Sequence, residues 1–150
     1  METLITPRLF SLRDANALVP MLGETFTRAR VLRDRLGKLQ KDLAEEGHPL
    51  DGGKVEVDPR ARPEVQGLQR RAALLVGELL ELLRGVTELG IEVKQAEGLV
   101  DFRSRFDGRV VYLCWKFGEE RITHFHELDA GFAGRQPLPA DGVFAGDLLH

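Results

Sequence analysis

Asp107-Gly108 stands between two stretches of alternating side-chain character, residues 100–106 and 109–116. Both central residues of a type I′ turn need positive φ, so this dipeptide predicts a two-residue hairpin. The turn sets Ser104 opposite Val111, Phe102 opposite Leu113 and Val100 opposite Trp115. A second turn at Gly118-Glu119 predicts a third strand running through His126. In that register Trp115 faces Ile122, Leu113 faces His124 and Val111 faces His126. The stretch from Gly98 to Gln136 therefore reads as a three-stranded antiparallel meander followed by a glycine-rich loop.

Opposed residues share a face of a sheet. One predicted face carries Val100, Phe102, Ser104, Val111, Leu113, Trp115, Ile122, His124 and His126. It is apolar and predicted to pack on helices. The other carries Asp101, Arg103, Arg105, Val110, Tyr112, Cys114, Lys116, Arg121, Thr123 and Phe125. Cys114, opposite Thr123, falls on the far side from both histidines and reads as a small apolar filler. A face of arginines with Tyr112 and Phe125 suits base stacking in some sheets. The net charge of −3 gives nucleic acid no general pull, so a solvated or subunit-facing surface is the reading.

Helices occupy the first two thirds of the chain. Ser11 is placed to cap a helix start, with Asp14 three residues on. Pro20 predicts a kink or a break, because it lacks an N–H and clashes with the preceding turn. Leu22, Phe26, Ala29, Leu32, Leu36, Leu39 and Leu43 then recur at spacings of four and three, one stripe running to about Glu46. From Glu64, Val65, Leu68, Ala72, Leu75, Leu79, Leu82, Val86 and Leu89 repeat the pattern, and Gly90 is placed as a C-terminal cap. Together they predict the seam of an antiparallel, coiled-coil-like hairpin. Leu74, Val76, Leu80 and Leu83 lie outside that seam, which predicts a homodimer. Between the helices, residues 47–63 form a loop longer than usual, predicted mobile in part, with His48 solvated.

The candidate chemistry lies at the end of the meander. His124 and His126, two apart on a strand, project the same way roughly 6.6 Å apart, close enough to converge on one ion. Asp129 follows as a third candidate ligand, with Glu92 or Asp101 from the incoming connector as alternatives although Asp101 starts on the other face, and a divalent metal such as zinc suits that set. Glu127 and Arg135 are candidate contacts for another ligand, Arg135 through bidentate binding of a carboxylate or phosphate. The opposing reading makes the histidines half-buried core groups bonded to helix carboxylates such as Glu78 or Glu81. No nucleophile elbow, phosphate loop or dinucleotide fingerprint is present. The single Cys114 excludes an internal disulfide, and no run of about 18 apolar residues exists to span a membrane. No signal peptide is read from the start, so a cytoplasmic location is expected.

The segments FSLRDANALVP, LGIEVKQAEGLVDF, VYLCW and HFHELDAGFAGRQPL resemble the bacterial family of domain of unknown function 2203. The resemblance covers most of the chain, sparing residues 47–63 and the last dozen. It implies a small bacterial protein and carries no activity, substrate or cofactor with it.

The sequence thus predicts an α+β protein forming one domain over residues 1–150. A helical hairpin spans about 11–90, and the meander with its C-terminal loop about 91–150. The function read from it is a binding or assembly module acting as a homo-oligomer. The alternative is a metal-binding protein or metal-dependent enzyme centred on His124 and His126.

Overall fold

The structure is a computed structural model describing residues 7–147; the start of the apolar 4–10 stretch lies outside the described residues. Ser11 Oγ accepts the Asp14 amide at 3.0 Å and opens helix α1 (Leu12–Glu45). The helix continues unbroken through Pro20. Proline inside a helix costs about 3 kcal/mol. The flanking Val19, Leu22 and Phe26 are all buried, each worth about 1.5–3 kcal/mol, and outweigh that cost. Helix α2 (Pro63–Thr87) starts on a proline, whose missing N–H is one of the unpaired donors at any helix start. Gly90 ends the turn at φ 91°, its amide donating to the Thr87 carbonyl at 3.0 Å.

The sheet is antiparallel in the order β1 (Glu92–Gln95), β2 (Leu99–Phe106), β3 (Arg109–Lys116), β4 (His124–Glu127), β5 (Gln136–Pro137). Among the described residues it has five strands where the sequence predicts three. The connector after Gly90 supplies β1, and the two residues of β5 pair back onto β4. Asp107 and Gly108 adopt φ 49° and 76°, and β2 and β3 pair in the predicted register.

The chain divides into two compact units, Thr27–Arg84 and the remainder from both ends. In the first, Leu39, Leu43, Val65 and Ala72 form the core between the helices of an antiparallel hairpin. The 47–63 loop lays Leu50, Val55 and Ala61 against that core. It is held further by the Asp58 amide on Gln69 Oε1 at 2.8 Å and by Gln66 Nε2 on the Asp58 and Ala61 carbonyls. These anchors explain how a long connection stays packed.

In the second unit, Ala15, Val19, Leu22 and Phe26 of α1 are buried together with Val100, Phe102, Val111, Leu113 and Trp115 of the sheet. Phe10 meets Phe102 edge-on at 5.1 Å, and Phe26 lies 6.1 Å from Trp115. The C-terminal tail completes this core. Phe144 stacks on Phe106 at 4.6 Å, and Ala145 exchanges two backbone hydrogen bonds with Arg105. Gly146 passes so close to Phe10 and Ser11 that a Cβ there would lie 2.2 Å from the Ser11 nitrogen.

Candidate metal centre

The register of β4 differs from the sequence prediction by one residue. Leu113 faces Phe125, Tyr112 faces His126 and Cys114 faces His124. A one-residue shift exchanges faces, so Phe125 enters the apolar core and both histidines move to the side of Cys114 and Asp101. The cause lies in residues 117–123, which do not form a tight hairpin. The Ile122 amide donates to Asn16 Oδ1 of α1 at 2.8 Å, and the Trp115 indole N–H donates to the Glu119 carbonyl at 2.9 Å. These tertiary anchors, rather than turn chemistry, fix where β4 begins.

The corrected face carries Glu92, Asp101, Arg103, Tyr112, Cys114, His124 and His126. At its centre Asp101, Cys114 and His126 are buried, contributed by three adjacent strands. Their ligand-type atoms, one oxygen, one sulfur and one nitrogen, all lie within 4.8 Å of one another. His126 Nε2 is 3.0 Å from Asp101 Oδ2, with both side chains 3% exposed or less. His126 Nδ1 lies 2.8 Å from the Glu127 backbone carbonyl. A carbonyl only accepts, so Nδ1 carries a proton and Nε2 is the nitrogen turned to the carboxylate.

The electrostatics of this cluster are those of a desolvated site. Burial raises the Asp101 carboxyl above its ordinary value against the opposing pull of His126. Burial, with the neighbouring Asp101 adding to it, pushes the Cys114 thiol up to about 12, so Cys114 is protonated at neutral pH. Among the described residues Asp101 Oδ1 is buried without a hydrogen-bond partner, although the Cys114 thiol shares a hydrogen bond with the same carboxyl group. A carboxylate oxygen in that condition costs about 1–3 kcal/mol or more.

A polar rim surrounds the cluster. Tyr112 lies 5.3 Å from the His126 ring and donates its hydroxyl to Glu92 at 3.0 Å. Burial opposes ionisation of Glu92, yet hydrogen bonds from Lys94 and Tyr112 and the charge of Arg103 together lower its pKa. Arg135 bonds Glu119 at 3.0 Å and reaches the Cys114 carbonyl at 3.4 Å.

Of the candidate ligands read from the sequence, His126 and the alternative Asp101 belong to this cluster, and His124 and Asp129 do not. His124 is partly exposed, with Nδ1 2.8 Å from Thr123 Oγ1. Asp129 is exposed beyond the end of β4. Glu127 forms a two-point pair with Arg109 at 2.7 and 2.8 Å, and Arg135 is paired with Glu119. His126 takes its acid partner from β2, the next strand but one, and not from Glu78 or Glu81. Asp101, an alternative ligand read as starting on the wrong face, is the partner of His126, and Cys114, read as a filler, was missed, although the hairpin register sets the two opposite each other. The signal that could have found them is Phe125. It is the only apolar residue between His124 and Glu127, so the apolar face claims it and the histidines must point the other way.

Among the described residues no helix is long and apolar enough to cross a membrane. No curated protein and no solved structure matches the chain. Residues 8–138 match the model of a family described as an uncharacterized conserved protein (DUF2203), in agreement with the motifs that carry the resemblance. That match spans the α+β elements described above, from the residues preceding α1 to the residue following β5, and the chain belongs to this family.

Proposed function

We propose that this is a divalent-metal-binding protein whose ion is held by Asp101, Cys114 and His126. One observation carries the reading: an oxygen, a sulfur and a nitrogen donor from three adjacent strands, all on buried side chains, lie within 4.8 Å of one another. The Cys114 thiol and the Asp101 carboxyl group share a hydrogen bond, whose proton a cation held between them would replace. Tetrahedral zinc with nitrogen and oxygen ligands at about 2.0–2.1 Å holds those two atoms about 3.3 Å apart. The Nε2–Oδ2 distance of 3.0 Å is close to that value. The Glu127 carbonyl on Nδ1 supplies the outer hydrogen bond by which metal-binding histidines are oriented.

The donor set selects among metals. One thiolate with one imidazole and one carboxylate suits zinc, whereas oxygen-only sites suit magnesium and calcium. Burial of all three side chains favours a resident ion that ties β2, β3 and β4 together over one that meets a bulky substrate. The reading retains His126 and replaces His124 and Asp129 by Asp101 and Cys114.

Cobalt titration of the metal-free, untagged protein tests it. A tetrahedral cobalt–thiolate charge-transfer band saturating at one equivalent is the expected result, with the band absent in Cys114→Ser. Absence of a band in the parent protein, or its persistence in Cys114→Ser, contradicts the assignment.

A further inference from the structure

The helical unit, taken by itself, presents both halves of a joint. Leu74 of α2 is 68% exposed, the side chain of a large apolar residue standing off the hairpin. With Leu39 and Leu75 it lines a groove of about 480 Å³ between α1 and α2. Arg71 and Glu78 of α2 and Arg35, Lys38 and Asp42 of α1 border the same groove. Leu39, Leu43, Val65 and Ala72 fill the hairpin core without Leu74, so the monomer has no use for that side chain.

We propose that this face is the contact surface of a homodimer, with a second copy of this chain as the occupant of the groove. The placement of Arg71 and Glu78, each three residues outside the Leu74-Leu75 pair, favours a second copy of this chain as the occupant. A two-fold axis passing between Leu74 and Leu75 sets two antiparallel α2 helices face to face. Leu74 then meets the partner's Leu75, and Arg71 meets the partner's Glu78, each contact made twice. An isologous interface requires such self-complementarity, a plug and a socket on one patch and opposite charges at equal distances from the axis. Glu78 holds Arg28 only at 3.4 Å, with both side chains half exposed, so it is available to share with an incoming arginine. The resulting four-helix contact covers a leucine that a two-helix hairpin leaves in water. This inference is independent of the metal site, which uses none of these residues.

Sedimentation equilibrium of the full chain tests it, with circular dichroism confirming that each variant keeps its helices. The parent protein is expected at twice the chain mass. Leu74→Glu is expected at one chain mass, because each contact would bury a carboxylate against the partner's Leu75. Arg71→Glu is expected to weaken association by about tenfold or more, since like charges then face each other. The double variant Arg71→Glu with Glu78→Arg is expected to restore it, because the swapped pair is again complementary. A monomeric parent at 100 µM, a dimer that survives Leu74→Glu, or a double variant no better than Arg71→Glu overturns the proposal.

Discussion

His126 Nε2 lies 3.0 Å from Asp101 Oδ2 although a whole strand separates β4 from β2. Two hydrogen-bonding side chains thus meet across the back of Cys114 and Tyr112, where water is excluded. Asp101→Asn preserves the volume and can still donate an N–H to Nε2, while losing the charge a metal requires. The metal-free variant is expected to unfold within about 1.5 kcal/mol of the parent and to bind no zinc. His126→Ala leaves a buried carboxyl without its partner and is expected to cost the metal-free protein about 1–3 kcal/mol. Urea unfolding of both variants, with and without zinc, makes the comparison.

Metal binding must displace protons. The Nε2–Oδ2 pair shares one, since Nδ1 is already committed as a donor to the Glu127 carbonyl, and the Cys114 thiol holds another near neutral pH. Binding as carboxylate, thiolate and neutral imidazole releases both, so affinity falls as pH is lowered. Zinc titration calorimetry in buffers of different ionisation enthalpy is expected to return about two protons released per ion. A value near zero would exclude Cys114 as a ligand.

Core and rim leucines of the helical unit separate by burial. Leu43 is fully buried, so Leu43→Ala is expected to cost about 2–5 kcal/mol through the cavity it leaves. Leu79 lies on the same predicted seam but stays partly exposed, and Leu79→Ala is expected to cost less than that range. Equal unfolding free energies for the two variants would contradict this packing.

The C-terminal tail is part of the core. Phe144 is buried against Phe106 and Phe125, so Phe144→Ala is expected to cost about 3–5 kcal/mol. Gly146→Ala is expected to destabilise as well, because its Cβ has no room beside Phe10 and Ser11. Thermal unfolding unchanged by both substitutions would remove the tail from the folded unit.

Much of this architecture is legible from local rules. Leucine spacing gives both helices, Ser11 and Gly90 mark two of their ends, and Asp107-Gly108 fixes the β2–β3 register that sets Asp101 opposite Cys114. What local rules miss is held by contacts distant in sequence. Asn16 on α1 holds the Ile122 amide, and Arg135 with the Trp115 indole holds Glu119. Those contacts delay β4 and shift it by one residue, and a period-two structure turns that shift into a change of face. The same shift carries His126 to Asp101 and Cys114. Likewise β1, β5 and the Phe144 tail rest on pairings that no turn motif announces.

Elemental analysis of the untagged protein, purified without chelators, tests the metal assignment most directly. One zinc or other thiophilic divalent ion per chain is predicted for the parent protein, falling to background in Asp101→Asn and Cys114→Ser while His124→Ala retains it. A parent protein that carries no metal, and whose melting temperature does not rise when zinc is added, would contradict the account and leave Asp101, Cys114 and His126 as a buried structural cluster.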